Sequence, residues 1–357
     1  MPRSSCRTLA AAVLLAVLSL WACSAPPSPP PVAGNLPLPR AHEPAAVRVP
    51  PKTASLCAGS HVVPRAQLAA GPRNRPFDVV VTAGSVWVLA EPARLLRVAR
   101  ADGSVETVAA GAPEEVWTAM DADPRDGSIW IAAPGIGFVH VAPDLTATRI
   151  RLQHAVEGKS AYVRRLVVAT DSLYVQPFCS DRGVWRVGRD GKPLGTAFPA
   201  PQTDPRATAD TMDCSPLRLE RGPGGRILAY DPPRRALFAL APGGEWRPAP
   251  GDLFAGIPAP PAYAFAYGAS TGDRHAVTFG RLVDWKGRPV FLGHPGEMPI
   301  REMAFFPLGE GGVEAARPAS CGGVPVRSLA TGAGGYAALL ADDTLLYGEL
   351  ADAPELP

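Results

Sequence analysis

The chain has 357 residues, 46% of them hydrophobic and 19% charged, with a formal net charge of +2. That length allows one large domain with a full core. The near-neutral balance, with Arg164-Arg165 and Arg234-Arg235 as the only adjacent arginine pairs after the leader, excludes the clustered basic surface of a nucleic-acid-binding protein.

Arg3 and Arg7 precede an apolar run from Leu9 to Leu20, and the sequence then closes on Trp21-Ala22-Cys23. The run is too short to be a comfortable spanning helix, so residues 1–22 read as a signal peptide. Leu20-Trp21-Ala22-Cys23 resembles a bacterial lipobox, with Trp21 standing where a small residue is usual. The resemblance implies cleavage before Cys23 and lipidation of that cysteine. Ordinary cleavage near Ser24 or Ala25 is the alternative, and both routes export the chain. The expected location is the bacterial cell envelope, held by lipid in the outer membrane on its periplasmic or surface side. Residues 23–55, rich in proline and alanine and without apolar period, form a tether. Run as polyproline II, the segment from Ser24 to Pro50 would span on the order of 80 Å. Only four lysines occur, Lys52, Lys159, Lys192 and Lys286. This arginine bias, with abundant Ala, Gly and Pro, is the composition associated with GC-rich bacterial genomes.

Residues 56–357 remain for the folded domain. Of the six cysteines, Cys6 leaves with the signal peptide and Cys23 carries lipid, which leaves Cys57, Cys179, Cys214 and Cys321. An even number in an exported chain argues for two disulfides, with three connectivities open. Zinc is the other reading of such cysteines. It is disfavoured because there is no CxxC pair and His61, after Cys57, is the only nearby histidine.

A unit of short apolar runs then recurs. The first runs from Pro76 to Gly111, with strands Phe77 to Val81, Ser85 to Ala90, Leu95 to Val98 and, after the turn Asp102-Gly103, Val105 to Val108. The second has Val116 to Ala122, Ser128 to Ala132, Gly137 to Val141, a turn at Pro143-Asp144 and a strand near Thr148 to Leu152. The third has Val163 to Ala169, Ser172 to Gln176, Val184 to Val187, the turn Asp190-Gly191 and an outer strand ending near Phe198. The fourth has Leu217 to Glu220, Arg226 to Tyr230, Ala236 to Leu240 and the turn Gly243-Gly244. Asp102, Asp144, Asp190 and Gly243 are separated by 42, 46 and 53 residues, the drift expected where loops on one face take insertions. Four short strands per unit make a blade, so the expected fold is an all-β, β-propeller ring of six blades, with seven as the other count. Trp87, Trp130 and Tyr174 occupy one position in successive units and are expected to pack between blades.

The fifth unit reads as Tyr263 to Tyr267, His275 to Phe279, Arg281 to Trp285, a turn at Lys286-Gly287 and Val290 to Leu292. The sixth has Val324 to Leu329, Gly335 to Leu340 and Leu345 to Leu350, and lacks a fourth strand. His61 to Leu68 is apolar enough to supply it and so close the ring. On that reading Cys57 pairs with Cys321 to staple the closure, and Cys179 pairs with Cys214 across the third and fourth blades. Gln153 to Tyr162, Pro199 to Pro216 and His294 to Gly323 exceed what the repeat needs and read as variable connections.

Asp126-Gly127-Ser128-Ile129-Trp130-Ile131-Ala132-Ala133, followed by Gly135 and Gly137, resembles the repeat of bacterial extracytoplasmic propellers: the two-component-regulator propellers, the NHL repeats and the streptogramin-lyase-like group. The first four units carry the resemblance. It implies the fold, and its members include sensors, binding scaffolds and enzymes, so function does not follow. Gluconolactonase-like propellers hold an axial divalent metal with carboxylates and asparagines, but Asn35 and Asn74 are the only asparagines here. A streptogramin-lyase-like site needs axial histidine and glutamate. His140, His154, His275 and His294 are available, but none falls in a matching pattern.

Other motifs are incomplete. Asp121, Asp123 and Asp126 resemble the start of a calcium loop, but the third acid is one place late and Ala132 stands where the loop needs Glu. Gly332 to Ala337 matches a dinucleotide glycine pattern, but the chain ends too soon for a βαβ unit, so a turn is expected there. Asp210 and Asp213, beside Cys214, are the acidic pair of a long insert and a candidate cation site. No catalytic constellation is assembled and no cofactor or metal is expected. The expected function is a non-catalytic envelope lipoprotein that binds or scaffolds a protein or glycan partner, with no nucleic acid. The alternative is a propeller hydrolase or lyase with an axial site.

Overall fold

The computed structural model describes residues 56–68, 74–134, 137–152, 163–177, 184–198, 218–222, 225–231, 236–241, 245–248, 278–294, 304–309, 312–313 and 317–355. All lie in the unit from Pro44 to Pro357. The signal peptide, Cys23 and the tether lie outside the described residues, as do Cys179, Cys214, Asp210 and Asp213.

Six antiparallel sheets form a six-bladed β-propeller. The first blade runs outward through Pro76–Val81, Ser85–Ala90, Arg94–Ala99 and Val105–Ala110. The second uses Ala119–Ala122, Ile129–Ala133, Gly137–Val141 and Ala147–Arg151. Val163–Val168, Ser172–Pro177, Val184–Gly188 and Pro193–Phe198 make the third. Arg218–Arg221, Ile227–Asp231, Ala236–Leu240 and Trp246–Pro248 make the fourth.

These short strands form because β-branched and aromatic residues suit a pleated surface, and aspartates shape the turns. Asp102, Asp144 and Asp190 each accept a hydrogen bond from the backbone amide two residues on, at 2.9, 2.9 and 3.1 Å. Side chains of adjacent blades interleave. Trp87, 5% exposed, packs with Trp117, Met120 and Ile131 between the first and second blades. Trp130 packs with Leu166 and Leu173 between the second and third, and Tyr174 with Leu219 and Ile227 between the third and fourth. The shared position is thus the inter-blade wedge.

The fifth blade differs from the expected one. Thr278–Trp285 is a single inner strand, followed by Arg288–His294 and Ala304–Gly309. Gly280 does not end a strand; the register shifts between Phe279 and Arg281, so the glycine marks a bulge. The turn at Lys286-Gly287 is therefore the first hairpin of the blade, not its last. The stretch from His294 to Gly323 is not merely a connection: Ala304–Gly309 pairs with Gly312–Val313 and with Arg317–Pro318. Pro307 and Pro318 obscure these strands in the sequence, since a proline cannot donate to the ladder. Tyr263 to Tyr267 lies outside the described residues.

The sixth blade consists of Val324–Gly332, Gly335–Leu340 and Leu345–Glu349, and His61–Val63 adds its outer strand by pairing with Leu345 to Tyr347. The N-terminal strand stops there because Pro64 has no amide to offer, and Arg65–Leu68 turns into one helical turn. Closure is reinforced on both sides. Leu56 packs between the fifth and sixth blades, while Val63 and Leu68 pack between the sixth and first. Cys57 and Cys321 are disulfide-bonded, with Cα atoms 5.3 Å apart across a sequence separation of 264 residues.

Because this bond ties the chain's two ends together, the Cys57→Ser/Cys321→Ser chain should lose about 2–5 kcal/mol of stability in denaturant titration. Non-reducing peptide mapping should recover the Cys57–Cys321 peptide pair.

Candidate functional site

All six inner strands run in the same direction, and their second halves enclose an axial cavity of about 670 Å³. It is lined by inner-strand segments such as Val79 to Thr82, Met120 to Asp123, Arg165 to Val167 and Leu282 to Asp284. The hairpins that leave these strands form its rim. Gly127, Gly225, Gly287 and Gly334 stand there with φ of 74°, 73°, 82° and 76°, and a Cβ on any of them would meet no atom within 4 Å. The tight turns leave the mouth open.

Each inner strand is a sheet edge, so its outward amides and carbonyls need partners. The side chain of one blade supplies them to the next. Asp78 accepts from the Met120 amide at 3.4 Å, Asp121 from the Val168 amide at 2.8 Å, and Gln176 from the Leu219 amide at 3.0 Å. The acceptors thereby set the rotation between the first four blades.

Two arginine-centred groups of ion pairs cross this region. Arg165 donates through Nε and Nη2 to both carboxylate oxygens of Glu220, at 2.9 to 3.0 Å, and its Nη1 lies 3.7 Å from Asp78. Burial works to lower the Arg165 pKa, but the Glu220 and Asp78 charges raise it, so the guanidinium stays charged. Arg221 donates to Asp121 at 2.6 Å and to the Val168 carbonyl at 2.5 Å. The second blade is thus tied to the fourth across the third.

A third group lies at the rim. Asp123, whose side chain is fully buried, accepts from the Arg125 amide at 3.0 Å, from the Arg125 guanidinium and from Arg189. Burial alone would raise its carboxyl, but the arginine hydrogen bonds outweigh burial and hold it at about 2. Arg189 also donates to the Ala169 carbonyl at 2.6 Å and lies 5.6 Å from the Trp130 ring, a cation–π contact.

The residues singled out in the sequence do not converge on one place. Asp121 and Asp123 line the cavity but hold arginines, and Asp126 accepts from the Ser128 amide at 2.9 Å, so the apparent calcium loop is a hairpin. Gly332 to Ala337 spans the turn between the inner and second strands of the sixth blade. His140 is off the axis, against Trp130 at 4.5 Å between ring centroids; burial pushes its imidazole pKa down. His154 and His275 lie outside the described residues, as does the His294 side chain, and among the described residues no histidine lines the cavity. Asn74 opens the first blade, outside the cavity lining. Among the described residues no three His, Cys, Asp or Glu side chains form a metal-binding group.

In the sequence Arg165 stands out only as half of an arginine pair and Glu220 only as a strand end, and Arg221 not at all. The available signal was charge within otherwise apolar inner strands, as in Phe77-Asp78-Val79-Val80-Val81.

No family model matches the chain, and no curated protein matches it. Solved structures share its shape at low identity. A gluconolactonase-like protein is 14% identical over a match covering 83% of this chain and 94% of that one, with a TM-score of 0.50. A protein of unknown function from Bacteroides thetaiotaomicron is 12% identical, with coverage of 83% and 74% and a TM-score of 0.51. The virginiamycin B lyase of Staphylococcus aureus is 10% identical, with coverage of 81% and 98%, and at a TM-score of 0.46 it carries no argument. The similarity is one of fold.

Arg165→Met should destabilise the ring by about 3–5 kcal/mol in urea titration, because it leaves the buried Glu220 charge without its guanidinium partner. Asp123 gives a pH test. Its folded pKa lies below the ordinary value of 3.8, so its contribution is full above that value and disappears as pH falls toward about 2. Asp123→Asn should therefore melt below the parent chain at neutral pH, and the two melting curves should converge in acid.

Proposed function

We propose that this protein is an exported, lipid-anchored propeller that binds or scaffolds a protein or glycan partner in the cell envelope and performs no catalysis. The observation that supports this reading most is the disposition of the axial charges. Arg165, Glu220, Asp121 and Arg221 are engaged with one another across blades, and Asp123 with Arg125 and Arg189. These groups act as braces of the ring. What the cavity offers a ligand is chiefly strand edge and glycine turn. Exposed amides and carbonyls suit a ligand rich in its own donors and acceptors, such as sugar hydroxyls or a peptide segment. The Leu20 to Cys23 sequence supports the anchor, and the proline-rich segment after it would hold the ring away from the membrane. The Cys57–Cys321 bond is consistent with export to an oxidising compartment.

Two measurements test this. Cys23→Ala should move the protein from the membrane fraction to the soluble fraction; retention in the membrane would remove the anchor. Ala83→Trp, which places bulk at the exposed rim without touching the ion pairs, should reduce recovery of a cross-linked envelope partner about tenfold relative to the parent chain, as expected for a blocked pocket. Unchanged recovery would overturn binding at the cavity, and turnover of a lactone or cyclic depsipeptide by the purified chain would replace this reading with the hydrolase or lyase one.

A further inference from the structure

The inner strands begin at the end of the ring away from the cavity mouth, and there three arginines converge on one buried carboxylate. Asp343 sits in the turn between the second and third strands of the sixth blade, with its side chain 5% exposed. Arg327 Nη1 lies 2.9 Å from its Oδ1, Arg75 Nε 3.2 Å from the same oxygen, and Arg65 Nε 3.5 Å from Oδ2. The three come from separate parts of the chain: the sixth inner strand, the entry to the first blade and the short helix.

Asp343 is the carboxylate that all three guanidinium groups meet, and the field of Glu91 also reaches Arg327. The neighbouring Asp342 uses Oδ1 to accept from the Thr344 amide at 3.0 Å.

The donors are also placed for use. Arg65 and Arg75 are half-exposed and meet Asp343 through Nε alone, so among the described residues their Nη groups have no partner. Arg327 is engaged otherwise: its Nη2 donates to the Pro76 carbonyl and its Nε is buried, so it holds Asp343 in place and presents no fork of its own. Planar guanidinium groups held through one edge present the other as a fork, which matches the oxygens of a tetrahedral oxyanion.

We propose that Arg65 and Arg75, oriented by Asp343, which Arg327 holds in place, form a binding site for a phosphoryl or sulfuryl oxyanion, carried by a free anion, a substituted glycan or an anionic lipid headgroup. The site does not depend on what enters the axial cavity.

Inorganic phosphate is the probe, titrated into the full chain at constant ionic strength with chloride as control. Phosphate should raise the melting temperature beyond the chloride control, and Arg75→Gln and Arg65→Gln should each weaken the apparent affinity about tenfold, the scale of one charge-assisted hydrogen bond. Melting each variant without phosphate separates loss of binding from loss of fold. Arg65→Lys, which keeps the charge without the fork, should bind phosphate more weakly than the parent and more tightly than Arg65→Gln.

Vesicles distinguish the sources. In a Cys23→Ala background, phosphate-competable binding to phosphatidylglycerol vesicles but not to phosphatidylcholine vesicles would identify a headgroup. Phosphate binding without vesicle binding would identify a soluble or glycan-borne anion. The site is overturned if phosphate does no more than chloride, if the glutamine variants respond as the parent does, or if vesicles bind with no phosphate response.

Discussion

Six sheets arranged about one axis bring six inner edges face to face, and every outward amide and carbonyl on those edges must find a partner. This is the constraint on which the rest of the ring depends, because an unsatisfied buried backbone group costs about as much as a lost hydrogen bond. The first three blades each reach forward and satisfy one edge amide of the next. Asp78, Asp121 and Gln176 accept from the Met120, Val168 and Leu219 amides of the following blade. Partners are 42, 47 and 43 residues apart, about one blade each, so a single device both satisfies an edge and fixes the angle to its neighbour.

The carboxylates so placed would be a liability without counter-charge, and arginine supplies it. A guanidinium can serve a carboxylate and a carbonyl together, as Arg221 does with Asp121 and the Val168 carbonyl. The same chemistry closes the ring at both ends. Arg100 reaches the Thr82, Ala83 and Ala333 carbonyls and Glu349, joining the first blade to the sixth at the cavity rim. Arg327, Arg75 and Arg65 converge on Asp343 at the other end. A lysine ammonium is a point charge and cannot make such forked contacts, so a chain with four lysines and many arginines is suited to this construction.

Bracing at the axis bears on function. Cavity charges that are engaged with one another brace the ring from within. The propeller is shared with proteins of several activities, and at 14% identity or less that sharing speaks to shape alone.

The sequence by itself determined the regular blades, because their signals are local. Alternating β-branched and aromatic runs, the Asp turns at 102, 144 and 190, and the repeated Trp87, Trp130 and Tyr174 position each act within one blade or against its neighbour. The closing strand was legible for the same reason, as an apolar segment facing a blade one strand short. Gly280 misled because a glycine permits a bulge as readily as a turn, and only pairing with Arg288–His294 decides between them. The axial and Asp343 networks were beyond local pattern. Arg221 meets Asp121 across 100 residues and Arg75 meets Asp343 across 268, and an isolated charge in an apolar strand does not name its partner. Which charges neutralise one another, and which donors remain for a ligand, was decided only when the ring closed and brought those distant strands to one axis and one rim.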